Sequence, residues 1–248
     1  MRYFLEISYD GTHYHGWQRQ ENALSVQQVV EESLSLILRR ETGITGSGRT
    51  DTGVHCEQQY FHIESEKVIN GQELLYKLNS LLPPDISINS IARVQDEAHA
   101  RFSALSRSYE YRITTRKNPF LKRYAHAFYK PLNVELMNEA CRELPGKHDF
   151  EAFSKVKTDV ENYLCDISNA LWTPQNDLLI FEITANRFLR GMVRAVVGTM
   201  LELGAGKLNI DQFQQIIVDK DRRKAGSSAP AAGLFLTLVK YPEEIFVT

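Results

Sequence analysis

Apolar and polar residues alternate over residues 2–9, which puts Tyr3, Leu5, Ile7 and Tyr9 on one face as a half-buried strand requires, and Asp10-Gly11 supplies a turn at its end. Beyond the turn the period lengthens. Ser25, with Gln28 three residues on, reads as a capping box that opens a helix. Val26, Val30, Leu34 and Ile37 form one stripe along it, Arg39 and Arg40 stand at the end where cations suit the helix dipole, and Gly43 closes it. A loop rich in Gly and Thr, residues 42–53, leads into a strand over 54–63 with a polar middle. Asn70 and Glu73 mark the start of a second helix, with Leu74, Leu75, Leu78, Leu81 and Leu82 on its apolar face. Pro83-Pro84 ends it before a strand at 86–94.

The second half echoes this plan, with strands predicted near 108–114, 163–172 and 178–184, helices near 134–144 and 189–203, a further helix from about Asn209, and a last strand over 234–241. No sequence repeat is visible, but the order of elements predicts an α+β protein of two lobes, residues 1–104 and 105–248, whose sheets face or join each other. A cleft between lobes is then the natural ligand site.

Composition changes this picture little. Hydrophobic residues at 43% and charged residues at 24% are ordinary for a folded globular protein, and no apolar run is long enough to span a bilayer. Arg2 and Glu6 leave no room for a signal-peptide core after Met1. Cys56, Cys141 and Cys165 are odd in number and widely spaced, which argues against a disulfide framework and a zinc site, and the reading is a reducing cytoplasm with no membrane partner. His55, His99 and His148 lack metal-ligand spacing, so no metal is assigned.

Charge distribution matters more than the net charge of -2. Between Arg101 and Lys130 stand Arg107, Arg112, Arg116, Lys117, Lys122 and Arg123 as well, against the single acid Glu110. With Arg187, Arg190, Arg194, Arg222, Arg223 and Lys224 further on, they suggest a polyanion-binding surface, although a solvated face neutralised from elsewhere in the fold gives the same pattern.

The most informative stretch is Gly46-Ser47-Gly48-Arg49-Thr50-Asp51-Thr52-Gly53-Val54-His55, a glycine-rich loop feeding a strand. Glycine allows close backbone approach, so such a loop can present Arg49 and Asp51 to a ligand, while an ordinary Asp in a turn remains the alternative. It has no Gly-Lys-Ser/Thr ending and no following helix, which disfavours a nucleoside triphosphate.

The run Gly48-Arg49-Thr50-Asp51-x-Gly53-Val54-His55 resembles the signature of the tRNA pseudouridine synthase A family, whose aspartate is catalytic. Further landmarks of the family follow in Tyr9-Asp10-Gly11-Thr12, Gly16-Trp17-Gln18, Ala98 to Ala104, Arg107-Ser108-Tyr109-x-Tyr111, Met192-Val193-Arg194, Ala229-Pro230 and Gly233-Leu234. The resemblance covers essentially the whole chain. It implies two RRM-like or ferredoxin-like lobes with mainly antiparallel sheets around a central catalytic cleft, and conversion of uridine to pseudouridine in the anticodon stem-loop of tRNA, with no cofactor. It implies Asp51 as the catalytic carboxylate with Arg194 as its guanidinium partner, and Tyr109 as a catalytic residue too, stacking on a flipped base with its hydroxyl available as an acid or base. Arg49, Arg101 and the segment of Ser154, Lys155 and Lys157 are implied to hold RNA, and Leu234 to wall the pocket. Family members are typically homodimers. A carboxylate could attack C1′ of the ribose, attack C6 of uracil, or act as a base on the ribose, and these routes stay open. The competing reading is a non-catalytic RNA-binding protein built on stacking tyrosines and the basic segment. It leaves Asp51 unexplained, because an acid repels phosphate. A hydrolase that releases uracil is a third.

Overall fold

The computed structural model describes residues 1–155 and 160–247 as a mixed α+β chain with mostly antiparallel sheets and, among these residues, five α-helices. The chain divides into two compact units, residues 1–106 with 235–248, and residues 107–234. The C-terminal segment thus returns to the unit in which the chain began.

In the first unit β1 (Arg2–Tyr9) pairs antiparallel with β3 (His55–Glu64) on one side and with β4 (Ile86–Val94) on the other. The two-residue β2 (Thr45–Gly46) adds to β3 from within the glycine-rich loop. Strand β10 (Leu234–Lys240) joins β3 in parallel, with Phe235 opposite His55. The predicted face of β1 is buried at Tyr3, Leu5, Ile7 and Tyr9 while Arg2, Glu6 and Ser8 on the other face are only partly covered, and Phe4 alone breaks the alternation by being buried as well. The last residues of the chain supply the reason: Tyr241 and Phe246 meet the Phe4 ring edge-on at 5.1 and 6.2 Å from the opposite face.

Helix α1 (Val26–Leu38) begins where Ser25 accepts the Gln28 N–H, and buries Val26, Val30 and Leu34 completely. The Gln28 side chain turns to Glu32 instead of closing a capping box. Arg39, left-handed at φ 53°, ends the helix well before Gly43, so the stop is a strained arginine rather than a glycine. Helix α2 (Gly71–Leu81) starts at the predicted Asn70 cap and packs through Leu74 and Leu78, with Leu81 left 45% exposed.

The second unit has β5 (Ser106–Thr114), β9 (Leu178–Ala185), β8 (Leu164–Gln175) and β7 (Gly146–Asp149) as successive antiparallel neighbours, with the short β6 (His126–Ala127) parallel to β5. Helix α3 (Val134–Cys141) is tied to β8 by Asn138, whose amide exchanges two hydrogen bonds of 2.8 and 2.9 Å with the backbone of Trp172. Helix α4 (Met192–Gly204) is apolar nearly all round and buried accordingly. It starts three residues after Leu189, because Gly191 adopts φ 72° and supplies the cap. A β-carbon on Gly198 would lie 1.7 Å from the Ser227 carbonyl oxygen, so only glycine lets residues 226–229 cross α4 this closely. Helix α5 (Ile210–Asp219) opens with a complete capping box of Asn209 and Gln212 and buries Phe213 and Ile216.

One buried group makes the stability of the first unit sensitive to acid. His62 on β3 accepts a hydrogen bond at Nδ1 from the Ala100 N–H, at 3.1 Å. Protonation would set two donors against each other there. Burial, the nearby Arg2 charge and His99 hold its pKa near 4, against 6.5 for an ordinary histidine. The unfolded chain therefore takes up this proton first, and stability is lost as the pH falls from about 6.5 towards about 4, by roughly 3 kcal/mol at most. Asn offers an acceptor oxygen in place of Nδ1 and cannot titrate. Thermal melts of His62→Asn should lose less stability than wild type between pH 7 and pH 4.5; parallel losses would assign the acid sensitivity to other groups.

Candidate active site

Asp51 lies in the loop between β2 and β3, and this loop is fastened from both sides. On one side, the Ser47 N–H donates to the Tyr60 carbonyl at 2.7 Å and the Gln59 amide reaches the Gly48 carbonyl at 3.4 Å. Gln59 and Tyr9 are buried, and the Tyr9 hydroxyl donates to Gln59 Oε1 at 3.3 Å, so the Thr50 hydroxyl donates to Tyr9 in turn, at 2.9 Å. On the other side runs the 11–17 segment. The Trp17 N–H donates to the Thr50 carbonyl at 3.2 Å, and the Gly53 N–H donates to the Tyr14 carbonyl at 3.2 Å. The Tyr14 hydroxyl is itself held on Asp85 at 2.7 Å, where burial and that carboxylate push its pKa upward.

Close backbone approach makes this clasp possible. A β-carbon on Gly11 would stand 2.0 Å from the Val54 carbonyl oxygen, and one on Gly16 2.3 Å from that of Thr50. Gly16 and Gly53 also adopt φ 84° and 76°, where a side chain is unfavourable. His55, buried directly after the loop, has Nδ1 at 3.2 Å from the Gly11 nitrogen and 3.1 Å from Asp10 Oδ1, and its ring stacks on Phe235 at 4.6 Å. Within this frame Thr50 is buried, Asp51 partly exposed and Arg49 exposed. The loop can therefore present a carboxylate and a guanidinium while its backbone is immobilised.

Arg101, in the same unit, is exposed, with its guanidinium 5.4 Å from the centre of the exposed Phe102 ring.

The second unit gathers its candidates around residues 187–194. Tyr109 on β5 is half-buried, its ring edge-on to Phe188 at 5.1 Å. Lys155 is exposed, and its N–H donates to the Arg190 carbonyl at 2.9 Å. Arg194 lies in the first turn of α4, where its Nε donates to the Ala229 carbonyl at 2.6 Å while its own carbonyl accepts the Ala229 N–H at 2.9 Å. That fixes the stem of the side chain. Residues 230–234 are set in the same way: the Tyr111 hydroxyl donates to the Pro230 carbonyl at 2.8 Å, and Gly233 leaves no room for a β-carbon beside Tyr111 and Arg112. Leu234 follows, buried.

Ser154 is only 2% exposed and its hydroxyl reaches the Lys155 carbonyl at 3.4 Å, so in this structure it is a packed residue beside an exposed lysine. Lys157 lies outside the described residues. Among the described residues no three His, Cys, Asp or Glu side chains gather as a metal site, and no helix is long and apolar enough to cross a membrane. Sequence reasoning missed Tyr9, Tyr14, Gln59 and Phe188. The first two stand in or beside the 9–18 motifs, whose glycines at 11 and 16 were the available signal.

Comparison with known proteins bears on this arrangement. The chain matches the tRNA pseudouridine synthase family over residues 7–103 and 140–242. It is 49% identical to the tRNA pseudouridine synthase A of Bacteroides thetaiotaomicron over 99% of its own length and 92% of the relative's. It is 40% identical to the protein of that name from Picosynechococcus sp., across 99% and 90% of the two chains. For the relative from Thermoanaerobacter sp. the identity is 39%, covering 96% and 98%.

Proposed function

The chain belongs to the tRNA pseudouridine synthase family, isomerases that convert uridine in tRNA, and we propose that Asp51 is the carboxylate that carries out this conversion. The observation that supports the assignment is the clasped 46–54 loop: its backbone is held by Tyr14, Trp17 and Gln59 and its Thr50 hydroxyl by Tyr9, yet the Asp51 side chain is left partly exposed. Rigid framing of one reactive group is how a protein holds a reactant near attack geometry. Pseudouridine formation breaks the N-glycosidic bond, turns the uracil and joins its C5 to C1′ of the same ribose, so atoms and electrons balance without a redox partner or group donor.

A uridine stacked in an RNA helix cannot be reached, so the target must be flipped out. Tyr109 takes the flipped uracil against its ring, and Arg194 supplies positive charge to the reaction centre. Arg49, Arg101 and Lys155 hold phosphates, Lys157 with them, and Leu234 walls the base pocket. The substrate segment is the anticodon stem-loop, and the working form is a cytoplasmic homodimer. Each unit is read as an RRM-like or ferredoxin-like variant, a mainly antiparallel sheet backed by helices.

Product analysis tests the reaction itself. With tRNA tritiated at uracil C5, wild-type protein should release tritium to water while leaving the uracil attached to the RNA. Free uracil in the same sample would mean hydrolysis, and neither product would mean a binding protein.

A further inference from the structure

Between Tyr111 and Asn133 the chain contains six basic residues and no acid, although Arg112 pairs with Glu110 just before the stretch, and among the described residues this stretch carries the most exposed large apolar side chain, Phe120, at 86%. We propose that Phe120 is a stacking platform for an unpaired nucleotide of the tRNA other than the reacting uridine. The inference rests on tRNA being the substrate, and not on the roles given to Asp51 or Tyr109.

The local structure argues for a built tip. Asn118 accepts the Phe120 N–H on its side-chain oxygen at 3.0 Å and Pro119 presets the turn, so residues 119–121 form one 3-10 turn. The Leu121 carbonyl accepts the N–H groups of both Tyr124 and Ala125, at 2.9 Å, and Ala125 is buried as an anchor. The segment is then stitched back to the sheet through β6 and through the Phe128 N–H on the Thr114 carbonyl. An aromatic ring carried outward at this position sacrifices burial, and bracing the backbone beneath it lowers the entropy cost of binding.

The surroundings select the partner. Lys117, Lys122 and Lys130 are exposed in the same stretch, with Tyr129 63% exposed, whereas Arg116 is already paired with Asp177. Cations with bare aromatic faces suit single-stranded nucleic acid, since each base offers a π-face and each phosphate a charge, while paired bases are closed to such a ring. The tip follows β5 on the far side of Thr114, five residues beyond Tyr109, or roughly 17 Å of strand. Phe120 is therefore assigned a different nucleotide from the one placed against Tyr109.

The test compares Phe120→Ala and Phe120→Trp with wild type on a transcribed tRNA and on a blunt, fully paired RNA duplex. Phe120→Ala should bind the tRNA about ten-fold more weakly or worse with an unchanged salt slope, bind the duplex as wild type does, and show a raised KM with kcat retained. Phe120→Trp should keep the affinity, and Lys117→Gln with Lys122→Gln should flatten the salt slope. Wild-type tRNA affinity in Phe120→Ala, an equal loss on the duplex, or a change of sedimenting mass showing that the tip joins two copies would each overturn the proposal. A loss of kcat in Asp51 variants leaves it untouched, so the two ideas fail separately.

Discussion

Asp51→Asn should bring tritium release from C5-labelled tRNA to background, while the protein melts near the wild-type temperature and still retains tRNA on a filter. The substitution exchanges one carboxylate oxygen for an amide and keeps the size of the side chain. The hydrogen bonds described for the clasp run through the backbone of Ser47, Gly48, Thr50 and Gly53 and through the Thr50 hydroxyl, and the substitution leaves all of these groups in place. The basic surface is untouched, and removing a negative charge from a phosphate-binding region should, if anything, tighten RNA binding slightly. A neutral amide cannot serve as the ionised nucleophile or base, so the loss should be of kcat and close to complete. Wild-type turnover in this variant would remove Asp51 from the chemistry. Lost activity together with lost folding would mean that the carboxylate supports the loop instead.

Much of the frame around Asp51 could be read in advance, for physical reasons that differ by element. Strand β1 and helices α1, α2 and α5 announce themselves because period and cap agree: Ser25, Asn70 and Asn209 each accept a backbone N–H three residues on. The short β2, β6 and β7 span two to four residues, too few for any period to register. The ends of α1 and α4 were misjudged because they depend on the backbone conformation of single residues, Arg39 and Gly191, which hydropathy does not report.

The candidate site divides along the same line. The Gly48 to His55 motif identifies the loop, but what immobilises it comes from β1, from the 11–17 segment and from Gln59, through contacts that form only once the sheet has assembled. His55 pairs with Phe235 from a strand 180 residues later, and no local pattern in β10 says which strand it will join. Ser154, which the family resemblance implies as an RNA contact, is packed beside buried Phe150, Ala152 and Phe153, a burial that the pattern of the surrounding residues does not report.

The contact of the 11–17 segment with the loop gives the second large effect, expected for Gly16→Ala. The new β-carbon would stand 2.3 Å from the Thr50 carbonyl oxygen and 3.1 Å from the Asp51 carbonyl carbon, and the backbone would have to keep φ at 84° with a side chain attached. Neither neighbour is the movable end of a side chain. The conformational penalty alone is about 1 to 2 kcal/mol, and restoring ordinary contact requires the two segments to part by about 1 Å. A displacement of that size at a reacting group costs on the order of 100-fold in rate. Gly16→Ala should therefore melt several degrees lower and lose about two orders of magnitude in kcat at a temperature where it remains folded. The tRNA dissociation constant should move far less, because of the proposed phosphate contacts only Arg49 lies in this loop. Gly43→Ala is the matched control, since a β-carbon there meets nothing within 4 Å, and it should leave kcat and melting as they are. If folded Gly16→Ala turned over as fast as that control, the clasp would be ordinary packing, and the placement of Asp51 would have to be explained by contacts other than those of the 11–17 segment.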